Sequence, residues 1–180
     1  YYINGLEPYM TIYGDDILDS DASKVDLSAS SIYSFKRYTP VNVNGNVTCV
    51  ENPYYDGEMF AETNTYTNDL FLWLSPIGML SMAKQIYTNL SSNYAEQAAY
   101  FEENYKTLEN DLITLDAAYQ NLATTLVKEN KHIKFVSMTP SFGSWQKAYG
   151  IEVYPVCLSK YGALPTESEL QIINDRIIKK

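Results

Sequence analysis

The chain has 180 residues, 46% of them hydrophobic and 19% charged, with a net charge of −9 from 13 basic and 22 acidic side chains. That is enough to bury one ordinary core or two small ones. It excludes a disordered or fibrous chain, and an acidic surface with scattered bases repels nucleic-acid backbones. No apolar run approaches the roughly 20 residues of a membrane-spanning helix, and one His with two Cys fits no zinc-binding spacing.

Tyr1 to Asn4 is β-prone and stops at Gly5. This opening lacks an initiator Met and lacks a basic region followed by an apolar stretch. It therefore reads as the interior of a longer protein with no signal peptide of its own. Pro8 begins a short helix expected to end near Tyr13. From 14 to 68 the chain is rich in Asp, Ser, Asn, Thr and Gly, broken by apolar patches at Val25–Leu27, Ile32–Tyr33, Val41–Val43 and Val47–Val50. Their period of two predicts half-buried strands. Asn44-Gly45 predicts a hairpin turn joining the last two.

Pro76 opens a predicted helix from Ile77 to about Leu90, which Ser91-Ser92-Asn93 is expected to break. Between Tyr94 and Val127 apolar residues fall at 94, 98, 101, 105, 108, 112, 115, 119, 122 and 126, with no Gly or Pro. Steps of four and three predict one helix about 50 Å long. It reads as either a coiled-coil seam or a helix packed on its own protein. Tyr and Ala at seam positions, without opposite charges flanking them, favour the second. His132 to Met138 then predicts a strand and Ser141 to Tyr149 a helix capped by Gly150. Ile151 to Leu158 predicts another strand, and Pro165 onward a helix with Leu170, Ile173, Ile177 and Ile178 on its apolar face. Strand, helix, strand, helix is the pattern of an α/β unit with parallel strands.

The motifs in this order resemble the extracytoplasmic solute-binding proteins of zinc and manganese ABC importers (cluster A-I). They are Asn4-Gly5-Leu6-Glu7, the segment Asp69 to Pro76, the long helix, Phe135 to Phe142, Tyr149-Gly150, and Leu164 to Leu170. The resemblance implies two partial parallel-sheet lobes joined by one long backbone helix. These would be an N-terminal lobe at 1–92, the linker helix at 93–128 and a C-terminal lobe at 129–180. It implies a bacterial cell-surface protein with a lipid anchor outside this chain, passing its solute to an ABC permease. Zinc or manganese is implied by the resemblance alone.

The family's metal-ligand positions are occupied by Phe71, Thr139 and Leu164, which become cleft-lining candidates. No metal ligand, cofactor or catalytic residue can be assigned. Phe and Leu offer no lone pair, and a Thr hydroxyl is a far weaker ligand than imidazole or carboxylate. The expectation is an importer component diverged in its ligand. The alternative is a surface adhesin or a binding module for a non-metal ligand or protein partner. No acid–base pair or nucleophile stands out, so no enzyme is expected.

His132 reads as a solvated surface residue. Cys49 and Cys157 could form a disulfide, but read as two thiols because their elements look like parts of different lobes. Asp15, Asp16, Asp19 and Asp21 lack calcium-loop spacing and read as a solvated loop. Core packing is the preferred reading of Trp73 and Phe142.

Overall fold

The computed structural model describes residues 1–178, the side chains of Thr11 and Val47 apart. Lys179 and Lys180, the end of the expected C-terminal lobe, lie outside the described residues. In chain order the elements are α1 (Pro8–Asp19), β1 (Arg37–Val43), β2 (Asn46–Asn52), α2 (Glu58–Ala61), α3 (Pro76–Asn93), α4 (Ala98–Lys128), β3 (Lys134–Ser137), α5 (Gly143–Tyr149), β4 (Glu152–Pro155) and α6 (Glu167–Ile178). They belong to two compact units, Tyr1–Ile32 with Leu70–Ala118, and Tyr33–Asp69 with Tyr119–Lys180. The segment 33–69, expected in the N-terminal lobe, thus groups with the C-terminal half. The buried Arg37 of β1 pairs with Glu152 of β4 at 3.3 Å, and Phe35 and Tyr54 share a core with Tyr154 and Ile173.

In the first unit the expected strands at Tyr1–Asn4 and Val25–Leu27 shrink to one parallel bridge between Tyr2 and Asp26. Side chains take the neighbouring backbone groups. The Glu7 carboxylate accepts the Ile3 N–H, and Gln85 donates to the Asp26 carbonyl. α1 runs six residues past its expected end.

α3 starts as expected at Pro76, with the Ser75 hydroxyl accepting the Gly78 N–H at 3.2 Å. Gly78 is required because an added Cβ would lie 2.8 Å from the Leu72 carbonyl oxygen. The break expected at Ser91 comes later, at Tyr94. Ser92 and Asn93 donate back to the carbonyls four residues earlier, so these polar side chains do not interrupt the helix.

α4 is the long helix, 31 residues and about 46 Å. Its half-buried line is 98, 101, 105, 109, 112, 116, 119, 123 and 126, whereas Leu108, Leu115 and Leu122 are exposed. The expected period is present, but the inward face is rotated from the expected one. In the first unit Tyr105 stacks on Tyr87 with ring centroids 4.9 Å apart. In the second, Tyr119 packs on Trp145 and Tyr149.

The second unit holds both described sheets. β1 and β2 form the expected antiparallel hairpin around Asn44-Gly45, both with positive φ. Pro40 lies opposite Cys49, three residues before the turn. With Val43 and Asn46 as the first hydrogen-bonded pair, its missing N–H faces away from β2 and the ladder loses nothing. β3 and β4 are parallel, with Lys134 opposite Glu152 and Ser137 opposite Pro155.

α5 connects the two parallel strands and ends on Gly150 at φ +66°, the expected cap. α6 begins with a capping box: Thr166 N–H and Oγ1 donate to the Glu169 carboxylate at 2.7 and 2.8 Å, and Glu169 N–H returns to Thr166 Oγ1 at 3.3 Å. Of its expected apolar face, Ile173 is buried and Ile177 half-buried, while Leu170 and Ile178 are exposed. The fold is mixed α/β with parallel strand pairing in each unit and one long helix.

Tyrosine burial gives this fold an alkaline limit. Burial, aided by the charge of Asp69, raises the Tyr54 phenol well above its ordinary value, and burial does the same for Tyr55. Burial and the hydrogen bond to Glu109 raise Tyr105 to about 12. A raised folded-state pKa means stability is full below the unfolded value of 10.0 and is lost as pH climbs through the folded one. Tyrosinate absorbance should keep rising above the ordinary tyrosine range, with its last stage coinciding with loss of far-ultraviolet ellipticity. Complete ionisation with ellipticity intact would contradict this.

Candidate functional site

The three residues that the resemblance sets at ligand positions, Phe71, Thr139 and Leu164, lie in different local settings. Phe71, in the first unit, precedes the 3₁₀ turn Leu72–Leu74 and is half-buried, its ring edge-on to Trp73 at 5.6 Å. Trp73, expected in the core, is 48% exposed, because the tight turn directs it outward while Leu72 is buried.

Thr139, in the second unit, is exposed in the loop that follows β3. Its Oγ1 shares a hydrogen bond with Ser141 Oγ at 2.7 Å, and Ser137 Oγ donates to its carbonyl at 2.7 Å. The next residues include Phe142, at φ +69° despite its bulk. Such a conformation costs on the order of 1–3 kcal/mol. Edge-to-face packing of Phe142 on Phe135 and Trp145 holds it in place, so its expected core role stands. Leu164, in the same unit, is 75% exposed and lines a cavity of about 300 Å³ whose lining does not include Thr139.

Among the described residues no group of three or more His, Cys, Asp or Glu side chains could hold a metal ion. His132 is exposed, as expected. Cys49 is exposed and Cys157 buried, and neither is bonded to the other. Both cysteines lie in the second unit, so the expected reason for their separation does not hold. The Cys157 thiol donates to the Ala163 carbonyl at 3.1 Å. Asp15, Asp16 and Asp19 are solvated as expected, but on α1 rather than in a loop.

The residue that sequence reasoning missed is Asp69. It is 3% exposed and its Oδ2 accepts the Ser144 N–H at 2.8 Å, anchoring the start of α5. Tyr54 and Gln146 complete this buried polar group, with Gln146 Nε2 donating to Tyr54 Oη at 3.1 Å. Gly143 is required here, since a Cβ would meet Tyr54 Oη at 2.6 Å. A carboxylate directly ahead of the apolar run Leu70 to Leu74 was the available signal.

This chain has the fold of metal-type solute-binding proteins. It superposes on the Streptococcus pneumoniae AdcAII protein with a TM-score of 0.66 at 16% identity, covering 99% of this chain and 56% of that one. On ZnuA the TM-score is 0.65 at 15% identity, covering 99% of this chain and 59% of that one. Residues 5–180 match the family described as ZnuA, zinc-uptake complex component A periplasmic, and the chain belongs to that family. It is similar to the zinc-binding protein AdcA of Streptococcus pyogenes serotype M6, 28% identical over 152 residues. That match covers 78% of this chain and 28% of AdcA, so the chain spans little more than a quarter of this relative's length.

Proposed function

We propose that this chain forms part of the extracytoplasmic substrate-binding component of a metal-type ABC importer. The family match over residues 5–180 carries this reading. The name of its relative, zinc-binding protein AdcA, points the same way. In this role the protein is non-catalytic. It works at a bacterial cell surface, held there by a lipid anchor outside this chain, and hands its solute to a membrane permease. No described helix is long and apolar enough to cross a membrane, which fits attachment by other means.

We further propose that the solute is not a bare zinc or manganese ion. Phe71 and Leu164 have no donor atom, and the neutral hydroxyl of Thr139 is already shared with Ser141. Calorimetric titration of the full-length protein with zinc and with manganese should give no more than heats of dilution. Saturable binding at micromolar concentration or tighter would overturn the divergence and return the protein to ordinary metal carriage. After crosslinking in native membranes, the protein should co-purify with a permease and an ATPase. The second reading is a surface adhesin or binding module for a non-metal ligand or protein partner, favoured by the apolar Phe71 and Leu164. Recovery of an extracellular partner without a permease would select it.

A further inference from the structure

The cavity lined by Leu164 lies wholly within the second unit and has a volume of about 300 Å³. Phe60, Val156 and Leu158 give it apolar walls, and Glu62 and Glu169 bring carboxylates to it. The two carboxylates are not equivalent. Glu169 is occupied by Thr166 in the capping box of α6, whereas the Glu62 side chain makes no hydrogen bond or ion pair among the described residues.

Ser159 also lines the cavity and is only 7% exposed. Its Oγ accepts the Tyr161 N–H at 3.1 Å, while its own O–H finds no acceptor among the described residues. A buried hydroxyl proton left over in a cavity costs free energy unless something entering the cavity accepts it. The nearby base Lys160 does not line the cavity; its ammonium sits 5.0 Å over the Tyr161 ring. Tyr161 also lines the cavity, but the only charged groups among the described lining residues are the carboxylates of Glu62 and Glu169, so an anionic guest is disfavoured.

We infer that this cavity is a binding site for a small organic cation: an ammonium group on a short apolar body, with the ammonium on Glu62. Apolar walls supply contact area and a few placed polar groups fix orientation, as in small-molecule sites of this size. A guest that also carries an acceptor oxygen would take the Ser159 proton. This inference is independent of the importer reading, which the metal titration and the permease test decide.

Hexylammonium chloride is the probe, followed through backbone amide resonances of the full chain. Saturable one-to-one shifts confined to residues 60–64 and 156–169 are expected, with hexanoate and hexanol producing none. Glu62→Gln should weaken hexylammonium about tenfold, the loss of one charge-assisted contact. Glu58→Gln removes an exposed carboxylate of α2 that does not line the cavity and should leave the affinity unchanged. Resonance dispersion in both variants confirms folding. Absence of binding, equal binding of hexanoate or hexanol, or an unchanged affinity in Glu62→Gln would each overturn the assignment. Equal weakening in both variants would also overturn it, reducing the effect to net charge.

Discussion

Tyr154→Ala should destabilise the second unit by about 3–5 kcal/mol, the range for deleting a large buried aromatic side chain. Tyr154 is 2% exposed and packs among Phe35, Tyr54, Tyr55, Leu158 and Ile173. Two polar partners also depend on it. Its hydroxyl donates to Glu152 Oε2 at 2.6 Å, and the Arg37 guanidinium lies 5.1 Å from its ring centre. Arg37 is buried, its Nη1 has no hydrogen-bond partner among the described residues, and its Nη2 reaches Glu152 at 3.3 Å. Removing the ring thus opens a cavity and strips a buried cation of its aromatic neighbour. Tyr154→Phe keeps the ring and loses one hydrogen bond, so it should cost about 1 kcal/mol. Chemical denaturation of the three proteins measures the difference. Equal losses in the two variants would show that the hydroxyl, and not the ring, holds this core.

Asp69→Ala should cost about 2–3 kcal/mol, as expected when a buried N–H loses a charged acceptor. The loss falls on Ser144, near the start of α5, whose N–H donates to the Asp69 carboxylate at 2.8 Å. Asp69→Asn retains an oxygen at that place and should recover more than half of the loss. The Tyr54 phenol should also ionise at lower pH in Asp69→Ala, since the Asp69 charge is the second cause, after burial, of its raised value. Denaturation midpoints and tyrosinate absorbance check both parts. Wild-type stability in Asp69→Ala would remove Asp69 as the anchor of α5.

Several elements were legible because their causes are local. Asn44-Gly45 can adopt the positive φ angles of a tight hairpin, and the turn forms where expected. Pro76 follows a capping serine and starts α3, and Gly150 ends α5 in the left-handed conformation. The ordered motifs from Asn4 to Leu170 led to the family that residues 5–180 match. The sites were less legible. Phe71, Thr139 and Leu164 could be placed only by resemblance, and each turns out to sit in a different local setting: an aromatic pair, a hydroxyl loop and a cavity rim.

By itself the sequence determined the periods, caps and turns of this protein, because these depend on residues within a few positions of one another. Tertiary structure alone decided that 33–69 joins the C-terminal half, that Leu108, Leu115 and Leu122 face outward, and that Trp73 is exposed. It also made Asp69 a buried anchor 75 residues from its partner. A periodic pattern states how often a helix turns toward an apolar neighbour but not which neighbour arrives. That depends on the packing of segments distant in the chain, where burial and long-range hydrogen bonds fix the outcome.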